Sequence, residues 1–296
     1  MEIIVDKNDI RIDKYLDEKL EYSRSKIEKL IKNKDILVND KEIKKSYLLK
    51  ENDKIYINDI PEEELTVEPE KMDLDIVYED DDVIVVNKAN GVVVHPAPGN
   101  YHHTLVNGLM YHSKLSSING EFRPGIVHRI DAYTTGLLVV AKNDKAHIEL
   151  ARQLEEKTTH RKYVALVWGV INTDTGTIDA PIGRDKNDRK KMAVTDINSK
   201  DALTHFKVLE RYSNATLIEL KLETGRTHQI RVHMNYIGYP IVNDPVYGRR
   251  KLIDNSGQCL HAKELGFIHP TTKEYMEFTS ELPECFLNIL KEFKDL

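Results

Sequence analysis

The chain has 296 residues, enough for two domains with one full-sized core, and its longest apolar runs are far too short to span a bilayer. Its charged amino-terminal segment lacks the apolar stretch of a signal peptide, and its two cysteines, Cys259 and Cys285, lie far apart with no C-x-x-C spacing. A soluble, cytoplasmic protein with no membrane partner, no disulfide framework and no thiolate zinc site is therefore expected, and both cysteines read as packing residues.

The net charge of −6 averages over unlike regions. Residues 61–82 hold eleven acids against Lys71, a local charge of −10, so the remainder of the chain is +4. Residues 19–50 carry ten bases and five acids, and Arg184–Lys191 adds five bases against two acids. These two stretches are the candidate phosphate-contacting surfaces.

In chain order, Ser23–Lys32 places Ile27, Leu30 and Ile31 on one helical face and Lys26, Lys29 and Lys32 on another. A short strand, Ile36–Asn39, follows, and Lys41, Lys44 and Lys45 extend the positive charge. The acidic segment contains Pro61 and Pro69 and reads as a linker, giving a small domain over 1–60, a linker over 61–82 and a larger domain over 83–296. The larger domain opens with the β-branched run Val83–Lys88, read as a core strand, and Gly91–Asn100 predicts another strand and a turn. Helical patterns fall near Leu105–Tyr111 and Ala146–Glu155. Leu137–Lys142 reads as a buried strand, and Leu217–Leu222 alternates as a half-buried one. Ile230, Met234 and Ile237 share the stripe of a helix that Gly238 and Pro240 terminate, with Arg231 beside it. Phe286, Leu290 and Phe293 mark a final core helix. Many strands with few long helices predict an α+β domain on a large, mainly antiparallel sheet.

The most telling stretch is His128-Arg129-Ile130-Asp131, directly before the apolar strand. A rigid element thus holds a loop with a carboxylate at its mouth. This run, with Thr134-Thr135-Gly136, resembles the signature motif of the RluA-type pseudouridine synthases. Arg161–Gly169 and Leu222–Met234 resemble that family's second and third motifs, in the right order. Leu260–Lys263 with Gly266–Pro270 resembles its closing strands, so the similarity covers about residues 83 to 296. The amino-terminal part resembles the small α/β RNA-binding domain first described in a ribosomal small-subunit protein. Where that domain normally has glycines this chain has Lys34 and Asp40, which leaves the left-handed turn positions to Asn33 or Asn39.

The resemblance implies a pseudouridine synthase fold and isomerisation of uridine within RNA. The bond from N1 to the ribose breaks, the uracil turns, and C5 joins the same sugar carbon. Nothing is oxidised or hydrolysed, so no cofactor and no metal is expected. Asp131 is the implied nucleophile. Arg231 would hold it in place as the anion, with Arg226 as the nearby competitor for that role. Tyr163 would stack on the base and is the candidate for moving its proton, and Ile230 would pack against the uracil. A stacked uridine must be flipped out, and Arg129 would fill the vacated space. Lys88, His95 and His128 are further RNA-contact candidates. In the small domain, Arg24, Lys26, Lys29, Lys32, Lys44 and Lys45 would meet phosphate.

A small RNA-binding domain ahead of the synthase is typical of the ribosomal, RluD-like branch, so the expected partner is large-subunit ribosomal RNA, bound by a monomer. Transfer RNA is the alternative substrate, and a non-catalytic RNA-binding or ribosome-assembly factor the competing reading; the intact Asp131, Tyr163 and Arg231 argue for the enzyme. A metal-dependent hydrolase finds no motif: His228 and His233 are five apart, and no H-E-x-x-H occurs. Neither a phosphate-binding P-loop nor a dinucleotide fingerprint is present.

Overall fold

The computed structural model describes residues 1–20, 22, 24–58, 67–97, 100–120, 123–188, 191–248 and 252–294, without the side chains of Arg24 and Ser25. The Arg24 side chain, the linker residues 59–66, the Pro98–Gly99 turn and the basic pair Arg189 and Lys190 therefore lie outside the described residues. The chain divides into two compact units, Met1–Leu65 and Thr66–Leu296.

The first unit contains β1 (Glu2–Ile4), β2 (Ile10–Arg11), α1 (Ile12–Lys19), α2 (Arg24–Lys32), β3 (Ile36–Val38), β4 (Lys41–Glu42), β5 (Leu48–Leu49) and β6 (Lys54–Ile57). Its sheet runs β1-β6-β3-β4, with β2 pairing β5 separately. Ile27 and Ile31 of α2 turn into a core with Tyr15, Leu16, Ile36 and Ile55, so one face of the helix packs while its lysines stay outside. Lys34 and Asp40 themselves take left-handed conformations, φ 68° and 62°, alongside Asn39 at 49°. The turn positions that glycine would occupy are thus kept without glycine, and Asn33 does not take them over. Asn39 secures the second turn by giving its side-chain amide to Asp53 and accepting the Lys54 N–H.

The second unit holds β7 (Ile76–Glu79), β8 (Val83–Lys88), α3 (Leu105–His112), β9 (Thr135–Ala141), α4 (Asp144–Glu155), β10 (His160–Trp168), β11 (Thr175–Asp179), β12 (Ile182–Arg184), β13 (Met192–Val194), β14 (Leu203–Arg211), β15 (Ala215–Leu222), α5 (Gln229–Tyr236), β16 (Leu260–Ile268), β17 (Tyr275–Thr279) and α6 (Glu284–Lys294). Its main sheet has the order β11-β14-β15-β10-β16-β9-β8-β7, with β17 also pairing β16. Every pairing in it is antiparallel except β9 with β16, which is the mixed, mainly antiparallel α+β sheet the sequence predicts.

All seven residues of β9 are buried because both faces of the sheet are covered. The pleat sends Leu138 and Val140 into one core, with α3 and α6, and Leu137, Val139 and Ala141 into the other, under α4. Gly136, at φ +109°, sits where β9 meets β16, and a Cβ there would collide with the Ala262 backbone.

Two expectations are corrected. Residues 67–82 are not a linker: Val67 enters the main core and Ile76–Glu79 is the edge strand of the sheet. Several of the acids that suggested a solvated joint are instead tied to partners. Glu70 meets His102 and His103, Glu79 meets His112 and Lys142, and Asp80 accepts the backbone N–H groups of Asp82 and Val83. The run Val92–Val94 is not a strand either. The carbonyls of Val93 and Val94 accept the N–H groups of Leu105 and Val106, so they satisfy the free amino end of α3 rather than a ladder.

Candidate active site

A cavity of about 400 Å³ opens in the second unit, between the loop before β9, strand β10 and the start of α5. All of Asp131, Tyr163, Arg231, Arg129, Ile230, His128 and Arg226 line it. Its size is that of a small-ligand pocket. Sequence separation does not matter here: Asp131 and Arg231, 100 residues apart, are joined by a 2.8 Å bond from Arg231 Nη1 to Asp131 Oδ2.

Arg231 is buried, and its position is over-determined. Its Nε and Nη2 each donate to an oxygen of Asp244 at 2.8 Å, while its third donor reaches Asp131. Burial opposes its charge, but the bonds to Asp244 and Asp131 more than offset this and raise its pKa. Asp244 is almost fully enclosed. Burial would raise its pKa, yet Arg231 and the N–H groups of Tyr247 and Val246 hold it below the ordinary carboxylate value. The Tyr247 ring lies 5.0 Å from the guanidinium carbon and completes the enclosure.

The loop bearing Asp131 is fixed from behind. Thr134 N–H donates to the Asp131 carbonyl, and Gln258 donates to the Thr134 hydroxyl. Lys88, expected as an RNA contact, is instead 2% exposed and donates to the carbonyls of Ala132, Ala89 and Val92 at 2.7, 2.8 and 2.9 Å. Burial pushes its pKa down to about 7, with Asp131 opposing. The three carbonyls match the three donors of an ammonium, so Lys88 is an internal strut for the Asp131 loop.

The other two secondary candidates are also drawn inward, His95 fully and His128 partly. His128 borders the cavity, but its Nε2 accepts the Val139 N–H at 3.0 Å, and burial, with Arg161 adding to it, drives its pKa to about 3. His95 is also buried and held to about 4, by desolvation and then by Arg129 and Arg123. Neither ring is a cation available to phosphate.

Arg129 remains exposed at the cavity, touching His95 Nε2 at 3.3 Å. Ile230 and Tyr163 are buried in the cavity wall. Burial raises the Tyr163 pKa, so the phenol holds its proton more tightly than in water. Arg226 gives its Nε to the Asp201 carbonyl and makes no bond to Asp131, which leaves Arg231 as the carboxylate's partner.

His228, Asp244 and Tyr247 were not among the candidates. His228 caps α5 in a left-handed conformation, φ 57°. Its Nε2 faces Asp131 Oδ1 at 3.7 Å, and its Nδ1 meets the Tyr247 hydroxyl at 2.8 Å. That hydroxyl also accepts the Met192 N–H, which ties the ring to the start of β13. Burial lowers the His228 pKa first of all, while Asp131 opposes. The Asn243-Asp244-Pro245 sequence signals a turn; nothing local announces that its carboxylate grips an arginine 13 residues away.

In the small unit, Lys29, Lys32, Lys44 and Lys45 are exposed. Lys45 pairs with Glu28 at 3.1 Å, and Lys26 lies over the Tyr22 ring at 3.7 Å. Among the described residues, no helix is long and apolar enough to cross a membrane.

Comparison with known proteins agrees with this geometry. A family model described as RNA pseudouridylate synthase matches residues 82–236, and one described as S4 domain matches residues 10–55. An uncharacterized RNA pseudouridine synthase of Bacillus subtilis is 55% identical over 287 residues, spanning 96% of this chain and 94% of the relative. The ribosomal large subunit pseudouridine synthase D of Neisseria meningitidis serogroup B is 46% identical over 91% of this chain and 75% of its own length. The solved structure of human RNA pseudouridylate synthase domain containing 1 superposes with a TM-score of 0.59 at 29% identity, covering 76% of this chain and 96% of that one. With that cavity and these matches, the chain belongs to the RNA pseudouridine synthase family of isomerases and carries an S4 domain at its amino-terminal end.

Proposed function

We propose that this synthase isomerises uridines of large-subunit ribosomal RNA, with Asp131 as the nucleophile acting on a base flipped out of its stack. The observation that carries the chemistry is the Asp131–Arg231 bond at the edge of a cavity large enough for a nucleoside. The substrate rests on the relatives named as large-subunit synthases.

In this reading an oxygen of Asp131 bonds transiently to the target nucleoside. The N1–ribose bond breaks, with its electron pair leaving on the uracil. The cavity retains the detached base between Tyr163 and Ile230 while it turns, C5 bonds to the sugar carbon, Asp131 is released, and the C5 proton is exchanged for one on N1. Arg231 balances the carboxylate charge, and His228 Nε2 lies 3.7 Å from the other oxygen. Arg129, exposed at the rim and, among the described residues, hydrogen-bonded only to His95, fills the gap left in the RNA stack.

The test is Asp131→Asn. Pseudouridines are mapped by chemical adduct and primer extension in ribosomal and transfer RNA from cells with the wild-type gene, the variant or neither. Large-subunit sites that appear only with the wild type, together with retained RNA binding by the variant, support the proposal. Full turnover by Asp131→Asn overturns the nucleophile, and sites confined to transfer RNA overturn the substrate.

A further inference from the structure

Arg161 lies on β10 two residues before Tyr163, so the pleat turns both side chains to one face, and both line the cavity. Unlike its neighbours, Arg161 has no hydrogen-bond or ion-pair partner among the described residues, and its Nε is buried unsatisfied. Arg231 holds two carboxylates and Arg129 touches His95, but among the described residues nothing answers the Arg161 guanidinium. An arginine cannot shed its charge, so an unpaired one in a cavity wall implies an acceptor from outside.

The backbone makes room for it. A side-chain carbon at Gly225 would come within 3.0 Å of Arg161 Nη1, so glycine lets the guanidinium lie against the loop that continues into Arg226. Arg226 uses its Nε on the Asp201 carbonyl and meets no carboxylate. Two arginines thus lie beside Gly225 with no counter-ion among the described residues. Glu155, at the same cavity, pairs with neither.

We infer that Arg161, with Arg226, binds a backbone phosphate of the RNA strand beside the everted nucleotide and so seats the target in the cavity. Two guanidiniums present donors matched to the oxygens of a phosphate, whereas the intact uracil is neutral and offers single carbonyl oxygens. Because Arg161 and Tyr163 share one strand face, the phosphate contact and the base contact are registered on the same rigid element. The inference rests on the proposed reading of the cavity as a uridine pocket.

The probe is the ribosomal RNA fragment in which mapping locates the product, synthesised with a neutral methylphosphonate at one phosphate at a time around the target uridine. Binding is measured in the Asp131→Asn background with Arg161 or with Arg161→Gln. At one position the methylphosphonate weakens binding about tenfold, Arg161→Gln weakens the unmodified RNA by about the same factor, and the combination is no worse than either. In the otherwise wild-type enzyme, Arg161→Gln raises KM with little change in kcat, and Arg161→Lys recovers part of the loss. The melting temperature of the RNA-free Arg161→Gln protein is at or above that of the wild type, since no internal bond is lost.

Losses that multiply at every phosphate overturn the inference. So does a melting temperature that falls with the affinity, which would make Arg161 structural, or a kcat defect at unchanged KM, which would put it on the uracil. Failure of the wild type to isomerise any uridine sinks the functional proposal and with it this inference, whereas normal turnover with no coupling at any phosphate sinks the inference alone.

Discussion

Asp244 grips Arg231 through both carboxylate oxygens, at 2.8 Å each, and leaves one guanidinium donor to reach Asp131. The arginine is therefore aimed by a residue that does not border the cavity. Replacing Asp244 by Asn keeps the shape but removes one anion and one acceptor. Turnover should fall by roughly 10²-fold, as expected for slight misplacement of a reacting pair, with RNA affinity little changed. Single-turnover kinetics beside equilibrium binding measure the two effects. Asp244→Ala should also destabilise the fold by about 3–5 kcal/mol in urea, because it leaves much of a buried charge uncompensated.

Lys88 holds the Asp131 loop through the Ala132 carbonyl. Lys88→Met fills the space but leaves three carbonyls without their donor. A stability loss of about 3 kcal/mol is expected, together with a lower kcat. Denaturant titration measures the first. A kcat unchanged in the folded variant would show that the strut does not control the loop.

Gly136 combines φ +109° with close contact to the Ala262 backbone. Gly136→Ala strains the chain and pushes β9 from β16 at the root of the Asp131 loop, so a fall in melting temperature with loss of activity is expected. Thermal unfolding monitored by circular dichroism tests this, and a variant as stable as the wild type would contradict the packing described here.

Acid stability follows from three desolvated histidines. Burial holds His95 and His261 to about 4 and His128 to about 3, against an unfolded value near 6.5. Between those values the unfolded chain binds more protons than the folded one, so stability rises with pH there and is lost as pH falls from about 6.5 towards 4. Denaturation midpoints measured across that window should drop steeply. Replacing His95 by Gln should flatten the slope.

Local pattern made much of this protein legible. The runs at Val83–Lys88 and Leu217–Leu222, the stripe of Ile230 and Met234, and the spacing of Phe286, Leu290 and Phe293 each fall in the element they indicate, because periodic burial is a property of a single segment. The motif order likewise brought Asp131, Tyr163 and Arg231 into one cavity.

What the pattern could not carry was the partner of each polar group. Acidic residues 67–82 looked like a solvated joint because nothing local shows that histidines and lysines wait for them elsewhere. Lys88 and His128 looked available to RNA because a charged or polar residue beside a motif gives no sign of burial. Asp244, His228 and the unpaired Arg161 acquire meaning only where β9, β10 and α5 converge. The sequence by itself determined most of the elements, the family and the residues that gather at the cavity, since periodicity and motif order are written along the chain. Tertiary structure alone decided which charges are enclosed and what holds them, because burial and hydrogen bonding depend on segments far apart in that order.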